Sequence, residues 1–221
     1  MGDWYRLNTW TKTDEEEYFA KLGRARKNGR PQYLRVQAVE FIETKDIYLM
    51  SVAETLLNKI LTDFPDNRIE ISQTYNLLGE LYSLREEYET AIEYFQKSLD
   101  FEKEFPNVIT GAFLNLSKTV IHAEKTELYD EIENINRTIK TINDDLKNGH
   151  QLDFPVQNYI AYSVLTVIRK FKGDPEQAKI YEELAEKNAE TRINSFWNPQ
   201  KKKIGIVEHR IKSLDTQVRR K

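Results

Sequence analysis

The stretch Ser72–Glu104, SQTYNLLGELYSLREEYETAIEYFQKSLDFEKE, sets the register for the whole chain. Tyr75, Leu78, Gly79 and Tyr82 stand at offsets 0, 3, 4 and 7, and Ala91 and Phe95 follow at 16 and 20. Offsets of three and four place each group on one face of a helix. The unit is therefore a hairpin of two helices. Gly79 and Ala91 are small, which predicts that the two backbones approach closely there. Leu78, Tyr82, Ile92 and Phe95 are expected to fill the seam around them. Such a hairpin cannot bury its apolar face alone, so stacked neighbours are expected on either side.

Fainter copies lie on both sides. Leu34, Ala38 and Phe41 precede Tyr75, Gly79 and Tyr82 by 41 residues, whereas Ala53, Leu57 and Ile60 precede Ala91, Phe95 and Ser98 by 38. The mismatch of three predicts a longer turn in the first hairpin. Phe113, Leu116, Ser117 and Val120 repeat the first-helix positions 38 residues later, but Tyr129 falls where a small residue belongs. From there Leu128, Ile132, Ile135, Ile139, Ile142 and Leu146 form a narrow stripe that reads as a seam against neighbouring helices, or as an open dimer seam. A fourth hairpin carries Tyr162 and Leu165, a Gly173-Asp174-Pro175 turn, then Ala178, Tyr181 and Ala185. Phe-Pro recurs at 64–65, 105–106 and 154–155, where one hairpin hands over to the next.

Residues 72–105 resemble a tetratricopeptide repeat, W-x2-L-G-x2-Y…A-x3-F, with Tyr75 in place of the Trp. Residues 31–65 and 156–189 resemble weaker copies, and the opening, from Asp3-Trp4-Tyr5-Arg6 to Gln32-Tyr33-Leu34-Arg35, resembles bacterial tetratricopeptide-type proteins of no known activity. The resemblance implies an all-α fold, a right-handed α-α superhelix of stacked antiparallel hairpins. The expected organisation is an N-terminal extension and first helix (1–30), hairpins over 31–198 (about 31–65, 69–105, 107–147 and 156–197), and a capping helix with a basic tail (199–221). Ten or so helices are expected.

The ends read as follows. Residues 1–12 hold two of the three Trp and no helical period, which predicts an extended segment docked on the first helices. Thr13-x-x-Glu16 suggests a capping box, and Gly29 a left-handed residue after the helix. Ile204, Val207, Ile211 and Leu214 predict a helix covering the last hairpin, with residues 218–221 frayed.

Composition narrows the class. Eight glycines and six prolines in 221 residues argue against disorder and against a turn-rich β fold. With 31% charged residues and 39% hydrophobic, the chain suits an elongated helical stack with much surface. There is no cysteine, hence no disulfide and no thiolate chemistry. No apolar run reaches a membrane span, and the charged start is unlike a signal peptide, so a cytoplasmic address is expected.

The net charge of −3 is unevenly placed. Residues 21–35 and 200–221 each carry +6, leaving −15 for the remainder. Lys21, Arg24, Arg26, Lys27 and Arg30 crowd the end of the first helix, either to satisfy its dipole or to bind an anionic partner.

Catalytic motifs are lacking. His122, His150 and His209 are far apart and show no metal-ligand spacing. No nucleophile elbow and no phosphate-cradling glycine loop occur. No enzymatic activity, cofactor or metal is expected.

The leading expectation, which the tetratricopeptide resemblance implies, is an interaction module that holds a protein or peptide in a groove lined by first helices, as a monomer or homodimer. The alternative is association with nucleic acid or an acidic partner through the basic ends, which the acidic body disfavours. The groove-facing positions should lie one step off the seam. They are Gln73, Asn76, Glu80 and Ser83, with Asn115, Lys118 and Arg35 at related places. Asparagine suits an extended peptide because its amide both donates and accepts.

Overall fold

The computed structural model describes residues 3–146, 154–192 and 205–220, the side chains of 138–146 excepted. Ten α-helices and no strand occur among the described residues. They are α1 (Lys12–Arg24), α2 (Arg30–Thr44), α3 (Ile47–Asp63), α4 (Arg68–Leu84), α5 (Tyr88–Glu104), α6 (Ala112–His122), α7 (Tyr129–Leu146), α8 (Pro155–Phe171), α9 (Pro175–Glu190) and α10 (Lys212–Arg219). Two compact units divide the chain, residues 1–115 and 116–221.

In the first unit α2 pairs with α3, α4 pairs with α5, and the two pairs pack on each other. Leu34, Ala38, Phe41, Ala53, Leu57, Ile60, Leu78 and Leu81 are fully withdrawn from water and form its core. Gly79 faces the ring of Phe95: a Cβ built on it would lie 2.5 Å from two ring carbons. The missing methyl makes room for an aromatic ring on the α4 backbone.

The first hairpin's turn is shorter than the sequence suggests. Lys45 and Asp46 alone join α2 to α3, whereas Arg85, Glu86 and Glu87 join α4 to α5. The additional residues form an extra first turn of α3, Ile47–Met50, before the seam position Ala53. Helix extension accommodates them because Asp46 caps that turn, its carboxylate accepting from Leu49 N–H at 2.9 Å.

Three of the hairpin turns close alike. The N–H groups of Glu87, Lys125 and Asp174 each reach back five residues, to the carbonyls of Tyr82, Val120 and Arg169. The residue before each donor is left-handed: Glu86 at φ 63°, Glu124 at 53° and Gly173 at 72°. This is the Schellman closure, which satisfies last-turn carbonyls. Only Gly173 adopts the conformation without a steric penalty.

The N-terminal segment docks its aromatics on the first helices, with a turn at Trp4-Tyr5 where Arg6 N–H donates to the Asp3 carbonyl at 3.0 Å. Trp10 packs edge-on against Phe41 and Tyr18, and Trp4 lies 5.0 Å from the Tyr33 ring. The cap of α1 is Thr11: its hydroxyl accepts from Asp14 N–H, and Asp14 accepts from Thr11 N–H at 2.8 Å. Thr13 therefore lies inside the helix. Gly29 belongs to a 3-10 turn at φ −90° and is not left-handed. The carbonyls of Gly23 and of Ala25, the residue that caps α1, are instead satisfied by the Arg30 guanidinium, at 2.7 and 3.1 Å.

Past α5, a hydroxyl cluster seats the connection to α6. Ser72 and Ser98 share a hydrogen bond, Ser98 and Thr110 another, and the Glu102 carboxylate accepts from both the N–H and the hydroxyl of Thr110.

In the second unit α8 is central, packing on α7, α9 and α10. The C-terminal helix is shorter than expected and lies further along. Val207 is buried in an irregular segment, α10 begins only at Lys212, and Leu214 and Val218 are its buried residues. Residues 218–220 are held rather than frayed: Lys170 donates to the Val218 carbonyl, and Arg220 pairs with Glu124. Gly205, at φ 77°, lies against the Phe154 ring and accepts from Val156 N–H at 2.8 Å, which supplies a partner at the start of α8. Ile204, Trp197, the loop over 147–153 and the side chains of Ile139, Ile142 and Leu146 lie outside the described residues.

Candidate functional site

The seven residues singled out from the sequence fall on α2, α4 and α6, and three of them meet. Asn115 uses one amide nitrogen to donate to Asn76 Oδ1 at 3.1 Å and to Glu80 Oε1 at 2.6 Å. Asn76 in turn donates to Glu80 Oε1 at 3.0 Å. Asn76 and Glu80 are one turn apart, which aligns them on one face of α4. The result is a closed triangle joining α4 to the start of α6. Asn76 is buried inside it rather than displayed.

Arg35 is also committed. Its Nε donates to Glu70 Oε2 at 2.6 Å, joining α2 to α4 with the Glu70 side chain only 9% exposed. Gln73, between these two clusters on α4, is half-buried and makes no hydrogen bond among the described residues. Ser83 is half-buried nearly three turns further along. Lys118 is one turn beyond Asn115 on α6, in the second unit, and is half-buried.

Beside this row, Glu54 on α3 accepts from the Tyr82 hydroxyl at 2.5 Å and from Arg85 at 2.7 Å. Burial, reinforced by that carboxylate, pushes the Tyr82 phenol well above its ordinary value. It stays protonated and acts as a donor. Tyr82 stacks parallel on Tyr94, with ring centroids 5.4 Å apart, and Lys97 sits over the Tyr94 ring at 4.7 Å. These groups bind one another and carry no nucleophile–base arrangement.

At the basic ends, several cations are already paired within the chain. Arg30 serves the α1 carbonyls, Arg210 forms a two-pronged pair with Glu186 at 2.7 and 2.8 Å, and Arg220 pairs with Glu124. Arg24, Arg26 and Lys27 are exposed. Lys201, Lys202 and Lys203 lie outside the described residues, as does His150. His122 and His209 are exposed, and no cluster of three metal-binding side chains occurs among the described residues. No helix among them is long and apolar enough to cross a membrane.

Two polar clusters escaped the sequence reading. Gln37, fully buried, stands 41 residues before Leu78, so an apolar seam residue was expected in its place. Glu133 and Asn136 share the inward face of α7 with Ile132, and Glu133 pairs with Arg169 of α8 and with Lys172 just past its end. Their spacing of three was the available signal, but in so charged a helix it reads as a solvated face. The chain matches no known protein family, no curated protein and no solved structure.

Proposed function

We propose that the chain is a non-enzymatic interaction module built as a tetratricopeptide-type superhelix, binding an extended peptide along the first helices of its hairpins. The observation that carries this reading is the row Arg35, Glu70, Gln73, Asn76, Glu80 and Asn115, which lines α2, α4 and α6 with amides and carboxylates. Amide groups complement the N–H and C=O groups of an extended chain. The triangle of Asn76, Glu80 and Asn115 holds the row rigid, and rigid polar groups lose less entropy on binding. Gln73 is the member with its whole amide available.

The test is selection from a displayed random-peptide library on the immobilised full chain. Selected peptides should lose affinity about tenfold, equal to 1.4 kcal/mol, in the Gln73→Ala, Ser83→Ala double variant, with the melting temperature unchanged. Undiminished affinity in that variant would remove the site from this row. Steeply salt-dependent binding to arbitrary DNA at physiological ionic strength would favour the basic ends instead.

A further inference from the structure

The start of the chain is held the way a peptide ligand is held. Gln37 Oε1 accepts from Leu7 N–H, and Gln37 Nε2 donates to Leu7 C=O. Both groups of one residue face the same side only where the chain is extended, as in the hydrogen-bonded pair of an antiparallel ladder. The Gln37 amide thus stands in for a neighbouring strand. It is fully buried where the second hairpin has the apolar Leu78. An amide buried there is costly unless both of its groups are bonded, so the position calls for an extended backbone above it.

Side-chain subsites flank that grip. Tyr33, Gln37 and Glu40 stand at offsets 0, 4 and 7, which places them on one face of α2. The Tyr33 ring receives Trp4 at 5.0 Å and Tyr5 at 4.8 Å, and Glu40 pairs with Arg6. Main-chain bonds give affinity and side-chain contacts give specificity, as in the recognition of extended peptides elsewhere. Arg35, two residues from Gln37, is roughly 200° round the helix and faces Glu70 of α4. This face is therefore separate from the polar row on α4.

The segment seated on it is lightly held. Among the described residues, residues 3–8 are hydrogen-bonded or ion-paired to the rest of the chain only by the two bonds at Leu7 and the one from Arg6. Asn8 and Thr9 are exposed. Beyond them the chain is fixed: Trp10 is buried, its carbonyl accepts from the Tyr48 hydroxyl at 2.9 Å, and Thr11 caps α1. Residues 3–8 are a short strap hung from that anchor. We propose that the Tyr33–Gln37–Glu40 face of α2 is a second peptide-binding site, occupied in cis by residues 3–8. Its ligand is an extended peptide with the strap's own order of side chains: two aromatics, a base and an aliphatic residue. Release of the strap unpairs the Gln37 amide, and such a peptide restores both bonds. The tethered strap competes at a high effective concentration, so a partner peptide binds once the strap is weakened or when its own contacts are tighter.

The probe is a labelled synthetic peptide of residues 3–9, DWYRLNT, titrated by fluorescence anisotropy into full-length proteins. The parent is compared with a Trp4→Ala, Leu7→Pro variant, whose own strap lacks one aromatic contact and the Leu7 N–H. The variant should bind the peptide about tenfold more tightly than the parent does, because its strap competes less. Gln37→Leu on that background should lose about tenfold again. A folded variant that binds no better than the parent, or whose binding ignores Gln37→Leu, would overturn the proposal. If the variant does not fold, hydrogen exchange on the parent decides. The Leu7 amide should then exchange by local opening, about tenfold or more faster than the core amides of α2. Exchange of Leu7 only at the rate of global unfolding would show a strap that does not release, and would equally overturn it.

Discussion

Gln37 holds Leu7 by both of its main-chain groups: Gln37 Oε1 accepts from Leu7 N–H and Gln37 Nε2 donates to Leu7 C=O, each at 2.8 Å. A fully buried amide is thereby matched to an extended backbone, where the next hairpin has Leu78 against apolar neighbours. The substitution Gln37→Leu should leave both Leu7 groups unmet and cost about 1–3 kcal/mol. Trp4 and Trp10 pack beside this contact, so tryptophan fluorescence should report loosening of the segment before the main melt. A variant with unchanged stability and emission would refute the role given to Gln37.

That contact also marks how far the sequence could be read. The seam of Tyr75, Leu78, Gly79, Tyr82, Ala91 and Phe95 was legible because the pattern is local, with large and small residues at helical offsets. Gln37–Leu7 was not, because its meaning depends on a backbone 30 residues away. The cap of α1 was misplaced by two residues: Thr11-x-x-Asp14 and Thr13-x-x-Glu16 satisfy the same rule, and only geometry separates them. In the candidate site, the polar character of Asn76, Glu80 and Asn115 was visible, but not that they spend much of it on each other.

Glu86 occupies a left-handed position that glycine adopts freely, and its side chain is exposed. Glu86→Gly should relieve backbone strain of roughly 1–2 kcal/mol, offset in part by the greater entropy of glycine in the unfolded chain. The net expectation is a gain of about 0.5–1 kcal/mol. Chemical denaturation checks it, and a loss of stability would mean that the Glu86 side chain has a binding role at the turn.

At the C-terminal segment the dependence on acidity has a definite sign. The hydrogen bonds from Arg210 hold the Glu186 carboxyl below its ordinary 4.5. A lowered carboxyl contributes stability that is present above its unfolded value and lost as pH falls through the folded value. Melting temperature should therefore fall as pH drops below about 4.5, and Glu186→Gln should flatten part of that fall. Arg210 is shared with Asp215, which also accepts from the Tyr159 hydroxyl at 2.7 Å. The Tyr159 phenol, pushed up to about 12 by burial and then by Asp215, stays protonated across this window. An unaltered acid limb in Glu186→Gln would place the acid sensitivity elsewhere, for example at Asp130, which Lys172 holds low.

Gly205 is constrained twice, by φ 77° and by the Phe154 ring, which would lie 1.9 Å from an added Cβ. Gly205→Ala should displace the carbonyl that accepts from Val156 and cost on the order of 2 kcal/mol or more, from left-handed strain together with lost packing. Limited proteolysis should then cut within 205–220 in the variant and spare the parent. Equal resistance of the two proteins would remove Gly205 as the anchor of the C-terminal segment.

The last expectation concerns the residue that sets the register. Gly79 lacks a side chain where the Phe95 ring crosses α4, and the added methyl of Gly79→Ala would meet three ring carbons inside 3 Å. Alanine is intrinsically favoured over glycine in a helix by about 1 kcal/mol. If packing were slack, the change should therefore stabilise. The geometry predicts the opposite, because Phe95 is buried against Gly79 and cannot withdraw without opening space elsewhere. A net loss of about 1–3 kcal/mol is expected. Shrinking the ring should reverse the sign: Phe95→Leu alone leaves a void, but Gly79→Ala on that background should restore part of the loss. Such a coupling, of order 1 kcal/mol or more by chemical denaturation of the four proteins, is what direct contact produces. Additive effects within about 0.5 kcal/mol would mean that the two residues do not touch. The helical register read from Tyr75, Leu78, Gly79 and Tyr82 would then have to be shifted.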